Sequence, residues 1–412
     1  MISKIKLIAI LLIILFVSSC KKEAIKNDAK IETKQELTKR VFNLAEKQYR
    51  FLIDKIDTIS PLLQPRSLNK DGTLRMAYKE DWTSGFFPGS LWYLFEYTKD
   101  QKWKTEAEKF TEALDSAQFV KWNHDVGFMI QNSFGQGYRL TGNEVYKQAV
   151  IDAAKSLSTR YRPVAKVIQS WDTDAPWIQG KNLDMPIIID NMMNLNLLYQ
   201  ATKHTSDTTF SDIANAHAST TISNQYRKDF SCYHIIDYDH ITGKVRKKVN
   251  FQGFADESSW ARGQAWGLYG YVESYKESGK KEFLEQAKSI AHFIINNNKI
   301  PKDNIPYWDY DAESTEKIPR DASAAAIVAS ALLDLQDFDA DNKKQYLEYS
   351  EIILRNLSSD EYLAKKGENG GFILKHSVGN FHENNENDAP LNYADYYFLE
   401  ALLKWNEKQQ SK

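Results

Sequence analysis

Helical periodicity runs through nearly the whole chain in two alternating kinds, and that alternation restricts the folds open to it. The segments 35–55, 101–118, 143–161, 208–226, 280–297 and 342–356 carry Lys and Glu on one side and Leu, Ala and Phe on the other. Such helices lie at a surface with one face packed inward. Between them fall 82–97, 124–138, 187–200, 260–275, 321–335 and 393–405, richer in apolar, aromatic and small residues and each opened by a polar or Gly-containing turn. Helices apolar almost all round are buried, and glycines such as Gly85, Gly127 and Gly270 let them approach closely. Six outer and six inner helices in alternation predict an all-α (α/α)6 barrel, a repeat of architecture and not of strict sequence period. The only strand signal is at Tyr233–Lys244, which predicts a small β-hairpin near the barrel mouth.

In such a barrel the inner helices all run the same way, so their N-terminal ends meet at one mouth. Asp81, Asp125, Asp190, Trp260, Arg262, Asp321 and Asp395 lie at or near those ends. The positive ends of six helix dipoles favour an anionic guest there. The long connections 162–186, 227–259 and 357–392 are rich in aromatic and polar residues, as functional loops are.

The N-terminus is a targeting segment. Lys4 and Lys6 precede the apolar run 7–17, and Val17-Ser18-Ser19-Cys20 matches a lipobox. Residues 1–20 are therefore expected to be a lipoprotein signal peptide with Cys20 as the acylated residue. Residues 21–34 are expected to form a flexible tether and 35–412 a single catalytic domain. The expected location is the periplasm or cell surface, with membrane contact only through the lipid anchor at Cys20. Cys232 is then the sole remaining cysteine, which excludes a disulfide framework and a Cys-based metal site. A net charge of -2 argues against nucleic acid as a partner. Ten Trp residues fit core packing and sugar stacking equally.

Cleaving a glycosidic link ordinarily takes two carboxyl groups. Asp125 and Asp190 form the expected catalytic pair. Asp190 follows Pro186-Ile187-Ile188-Ile189, so an apolar setting should raise its pKa and suit it to general-acid work. Asp125, beside His124, is expected to be the charged partner. Asp81, Asp321 and Asp395 read as helix caps or supporting groups. Arg262, flanked by Trp260 and Trp266, could hold a carboxylate in two-pronged fashion or pair with a neighbouring Asp. Trp82 and Trp308 are further stacking candidates. Lys247, Lys248 and Lys375, with His376 and Ser377, are candidates for recognising a sulfate. Asp237-Tyr238-Asp239 and Asp309-Tyr310-Asp311 lack the loop pattern of a calcium site. No Walker loop, His-Glu-x-x-His helix or Gly-x-Ser-x-Gly elbow is present.

Several motifs occur in one order: Asp81-Trp82-Thr83-Ser84-Gly85-Phe86, His124-Asp125-Val126-Gly127-Phe128, Ile188-Ile189-Asp190-Asn191, Ser259-Trp260-Ala261-Arg262-Gly263-Gln264-Ala265-Trp266-Gly267, Tyr307-Trp308-Asp309 and Asp395-Tyr396-Tyr397-Phe398-Leu399-Glu400. Together they resemble glycoside hydrolase family 88, the unsaturated glucuronyl hydrolases. The resemblance implies an (α/α)6 fold, with Asp190 as acid/base and Asp125 as second catalytic aspartate. It implies a sugar subsite lined by His234, Gln252, Arg262 and Trp266; Asn250, Trp260, Trp82 and His124 are expected as further substrate contacts. Around Asn250 the stretch Lys248-Val249-Asn250-Phe251 departs from the Gly-rich family pattern. The implied partner is an oligosaccharide ending in an unsaturated uronate, with no metal or organic cofactor. Hydrolysis of an unsaturated rhamnogalacturonyl unit and non-catalytic saccharide binding stand as alternatives.

Overall fold

Two-residue turns set one end of the architecture. The protein is described by a computed structural model over residues 32–56, 63–313, 317–384 and 386–407, and a compact unit begins at Lys34. Its helices are α1 (Lys34–Ile56), α2 (Phe86–Thr98), α3 (Gln101–Glu112), α4 (Val126–Ile130), α5 (Gln136–Thr141), α6 (Glu144–Ser158), α7 (Asn191–Thr205), α8 (Thr208–Gln225), α9 (Ala261–Ser278), α10 (Lys281–Ile295), α11 (Ala322–Leu335), α12 (Lys343–Leu357) and α13 (Asn392–Glu407). Helices α2, α5, α7 and α9 each stop at a left-handed residue, Lys99, Gly142, Ser206 and Gly279. Asp100, Asn143 and Asp207 then cap the next helix by accepting the backbone N–H of Lys102, Val145 and Thr209. Each such cap is worth about 1 kcal/mol.

The inner helices close a ring: α2 packs on the 131–135 turn and on α13, α4 on α7, α7 on α9, α9 on α11, and α11 on α13. The outer layer follows in chain order, with α1 on α13, α3 on α2, α6 on α7, α8 on α7, α10 on α9 and α12 on α11. This is the (α/α)6 barrel that the two kinds of periodicity predict. Every residue of α11 is buried, as its Ala-rich sequence requires of a helix enclosed on all sides. Small residues set the spacing where inner helices touch. A Cβ on Gly127 would lie 2.5 Å from Oδ1 of Asn194, so the start of α4 can seat against α7 only as glycine.

The differences from the sequence reading lie near the mouth. The segment 124–138 is not one helix; a π-helical turn, Gln131–Gly135, separates α4 from α5. Residues Met185–Ile188 form a strand instead of the first turn of a helix, and α7 begins only at Asn191. The expected hairpin is present as strands Ile235–Tyr238 and Val245–Val249, but Met185–Ile188 adds a third, antiparallel strand to it. It was not the only β-structure: Gln64–Leu68 pairs with Leu74–Ala77, Tyr161–Arg162 with Val167–Ile168, and Ser377–Val378 with Asn387–Ala389. Strands of two to five residues are held by what they pack against and leave little periodic trace.

Candidate active site

The strand Met185–Ile188 aims Asp190. Ile187 and Ile188 pair with Ile236 and Ile235, and Ile189 N–H donates to the His234 carbonyl at 3.0 Å. The chain then turns directly into α7, with Asp190 at the cap position. Its carboxyl makes no capping bond to α7 and instead lines a cavity of about 630 Å³ at the barrel mouth. Oδ2 is buried with no hydrogen-bond partner among the described residues, 4.0 Å from Nε2 of His234. Burial pushes the Asp190 carboxyl up to about 7, while the Arg262 guanidinium, a backbone N–H and the Trp266 indole hold it from rising further.

His234 is fixed by the adjoining loop. Its Nδ1 accepts from Phe251 N–H at 3.2 Å, so the proton of the neutral ring is assigned to Nε2, the nitrogen facing Asp190. Burial and the Arg262 charge lower its pKa to about 3. It is therefore a neutral donor at any physiological pH.

Asp125 reaches the same cavity from the next inner helix. Asn123 Oδ1 accepts its backbone N–H at 2.8 Å, and His124 N–H donates to the Ser170 carbonyl. Burial raises the Asp125 pKa well above the carboxylate range, and the like charges of Asp190 and Asp81 raise it further. Arg160 and Asn194 only partly oppose this. Burial and these like charges therefore act against the charge expected on Asp125. The neighbouring His124 does not change this. Its ring lies 3.3 Å from Asp125, but burial holds it neutral, with a pKa of about 3.

The other expected contacts divide. His234, Gln252, Arg262 and Trp82 line the cavity. Arg262, however, has its donors largely engaged: Nη1 by the Val378 carbonyl, and Nη2 by the Gly379 carbonyl at 2.6 Å and Gln252 Oε1 at 2.8 Å. It also pairs with Asp321 at 3.5 Å and lies over the Trp260 ring. It acts as a buried charge beside Asp190 and as a tie between α9 and the 378–379 segment, not as an open fork for a carboxylate. Four expected substrate contacts do not line the cavity. His124 is fully buried and points behind Asp125. Trp260 forms the floor beneath Arg262, and Trp266 packs against Phe128 and Tyr397, its indole turned toward Asp190 from within the core. Asn250 is used up in folding its own loop, accepting from Gly253 N–H at 2.6 Å. Trp308 is likewise buried, stacked on Phe381.

Asp81, Asp321 and Asp395 behave as caps or supports. Asp81 accepts from Thr83 and Arg66, Asp321 caps α11, and Asp395 accepts from Ile373 and Leu374 N–H at 2.8 Å. Asp237 and Asp309 spend their oxygens on backbone N–H groups, Arg246 and Ser258. Lys375 is held by the Asp360 carbonyl, and His376 pairs with Asp388 in a separate cavity. Neither faces the acids. Cys20 lies outside the described residues.

Sequence reasoning missed one whole wall. Arg66, on the strand Gln64–Leu68, grips Glu386 through Nε at 2.7 Å and Nη2 at 2.8 Å, and Asp81 through Nη1 at 2.8 Å. Arg75 approaches Glu386 at 3.4 Å. Trp122, Trp171, Phe251 and Lys181 line the same cavity. For Trp171 and Phe251 the sequence signal was the aromatic content of the connections 162–186 and 227–259; Arg66 and Trp122 lie outside those connections.

The family model described as Glycosyl Hydrolase Family 88 matches residues 53–397. An unsaturated glucuronyl hydrolase of Formosa agariphila is 45% identical over 327 residues, covering 79% of this chain and 80% of that protein. An unsaturated chondroitin disaccharide hydrolase of Streptococcus pyogenes is 33% identical over 386 residues, covering 90% and 93%. The crystal structure of an unsaturated glucuronyl hydrolase specific for heparin superposes with a TM-score of 0.86 at 48% identity, covering 91% of this chain and 98% of that one.

Proposed function

The chain belongs to Glycosyl Hydrolase Family 88, and from that premise we propose that it removes the 4,5-unsaturated uronate from the non-reducing end of lyase-cut acidic oligosaccharides, those of glycosaminoglycans first among them. The relatives named for heparin and for chondroitin disaccharides support that substrate class. The observation that carries the reading is the convergence of two buried carboxyls, Asp125 and Asp190, both with raised pKa values, in one cavity beside His234.

The C4=C5 bond of such a uronate is an enol ether. Asp190 donates its proton to C4, and the ring oxygen stabilises the cation that forms at C5. Asp190, now a carboxylate, takes a proton from the water that adds to C5. The resulting hemiketal collapses, releasing an open-chain keto uronate and the shortened saccharide. Asp125, protonated, donates to a sugar hydroxyl, and His234 Nε2–H does the same from the other side. A carboxyl with a pKa of about 7 suits both halves of this cycle.

The test is the loss of enol-ether ultraviolet absorbance on a panel of lyase-cut disaccharides. Asp190→Asn should lower turnover by about 10²–10⁴-fold while oligosaccharide binding persists. Decay on no member of the panel, or full activity in Asp190→Asn, refutes the assignment. The same reading includes a lipid anchor at Cys20 and a periplasmic or surface location. Labelled palmitate should enter the wild type and not Cys20→Ser, and absence of label in both removes the anchor.

A further inference from the structure

Asp125 and Asp190 occupy helix-cap positions without capping. Elsewhere in the barrel Asp100, Asn143, Asp207 and Asp321 stand before helices with extended backbone, ψ between 91° and 120°, and each accepts a backbone N–H of the turn it precedes. That is the ordinary geometry of the position. Asp125 has ψ 4° and Asp190 ψ -24°, and neither side chain makes a capping bond. Both carboxyls line the cavity instead. A helix start without a side-chain cap must satisfy its first N–H groups by other means.

The two helices do so differently. Helix α7 tightens its first turn: Met192 N–H donates to the Ile189 carbonyl and Met193 N–H to the Asp190 carbonyl, both at 3.0 Å. In α4 the Phe128 N–H, third in the helix, donates at 2.8 Å to Oδ1 of Asn194, which stands on α7. This is a donor that the residue before a helix commonly takes with its own side chain. Asn194 thus supplies, from the neighbouring helix, the bond that Asp125 leaves unmade.

The setting of Asn194 agrees with that role. A fully buried amide in the interior of a helix is unfavourable unless its donor and acceptor are both used. Here they are: Nδ2 donates to the Asp190 carbonyl at 3.4 Å and also bonds the Asp125 side chain. Gly127 permits the approach, since a Cβ there would lie 2.8 Å from Asn194 Cα. One side chain therefore fixes the start of α4, the carboxyl of Asp125 and the first turn behind Asp190.

We infer that Asn194 is the positioning residue of the acid pair, capping α4 in place of Asp125 so that the Asp125 carboxyl faces the cavity beside Asp190. What the two carboxyls then do rests on the proposed hydrolysis; the borrowed cap does not.

The test reads amide exchange and turnover in the full chain. In Asp125→Ala the exchange rate of Phe128 N–H should stay within about threefold of wild type, because its acceptor is untouched, and adding Asn194→Ala should raise it about tenfold or more, the scale of one hydrogen bond. A tenfold rise in Asp125→Ala alone shows an ordinary cap and overturns the inference, and that comparison stands even if the double variant does not fold. Exchange that the double variant leaves unchanged overturns it as well. For turnover, Asn194→Ala frees Phe128 N–H to draw the Asp125 carboxyl back into the ordinary capping position. The kcat/KM on a lyase-cut disaccharide should fall about 100-fold, whereas in the Asp125→Ala background the same substitution should change the residual kcat/KM by less than about threefold. Equal losses in both backgrounds show a general structural role and overturn the positioning of Asp125. Exchange needs no substrate, so the expected exchange pattern in a protein that turns nothing over removes the hydrolysis and leaves the borrowed cap standing.

Discussion

Asp125→Asn separates two charge states of the acid pair. Asparagine is close in shape to a protonated aspartate and carries no charge. If Asp125 already holds its proton when Asp190 ionises, the substitution changes little at Asp190. If Asp125 is ionised, it removes a like charge. For two carboxylates at the roughly 5.5 Å general to close catalytic pairs, an effective dielectric of about 20 gives a repulsion of about 3 kcal/mol, or about two pKa units. Asp190 stands at about 7, and Asp125 is raised well above the carboxylate range. The expected wild-type profile of kcat/KM is therefore flat below about 6 and falls tenfold per pH unit above about 7, to about 1% at pH 9. The acid must be protonated to act, so activity is lost on the alkaline side. In Asp125→Asn the residual activity should be much lower, with the alkaline limb within about half a unit of its wild-type position. Carbon NMR of the labelled Asp190 carboxyl provides the same pKa without relying on turnover. A limb displaced downward by more than a unit shows that Asp125 is the charged partner and refutes the assignment made from burial.

Two further outcomes test the framework around the site. Glu386 is buried between Arg66 and Arg75, so Glu386→Gln leaves Arg66 with Asp81 alone. Unfolding in urea should show a loss of about 3–5 kcal/mol, partly recovered in the double variant with Arg66→Met; a loss below about 1 kcal/mol contradicts the ion network. Asp395 is held at about 7 by burial, despite accepting three hydrogen bonds. The folded protein keeps this proton where the unfolded chain, at about 3.9, releases it. The resulting stabilisation is full below about pH 4 and declines as pH rises to about 7, by up to about 1.4 kcal/mol per unit. Asp395→Asn should flatten the fall of urea midpoints between pH 5 and 7, and an unaltered slope counts against a neutral Asp395.

The barrel was legible because its evidence is local and repeated. An outer helix such as α10 shows its buried face in Phe283, Ala287, Ile290 and Ile294, spaced as a half-buried helix must be. Asp125 and Asp190 were legible because both stand at the starts of inner helices, where the topology gathers side chains. The failures have physical causes too. His124 and Trp260 neighbour site residues in sequence, but successive side chains at a helix start point about 100° apart, and these two turn into the core. Arg66 and Glu386 are 320 positions apart, and no periodicity reports a pairing at that distance. The strand Met185–Ile188 reads as helix because a fully buried apolar run of four residues has no period to distinguish the two.

The inner-to-outer turns at Lys99, Gly142, Ser206 and Gly279 are tight, whereas the connections that return to the inner helices are long. Under the proposed reaction, chemistry and selectivity are consequently written on different parts of the polypeptide. Asp125 and Asp190, the acids of the proposed reaction, belong to helix starts that the closed ring cannot relinquish, while other cavity-lining residues such as Trp171 and Phe251 belong to excursions that can be lengthened, shortened or exchanged at small thermodynamic risk. Selection can therefore reshape the outer lining of the cavity, insertion by insertion, without disturbing the helix starts beneath it.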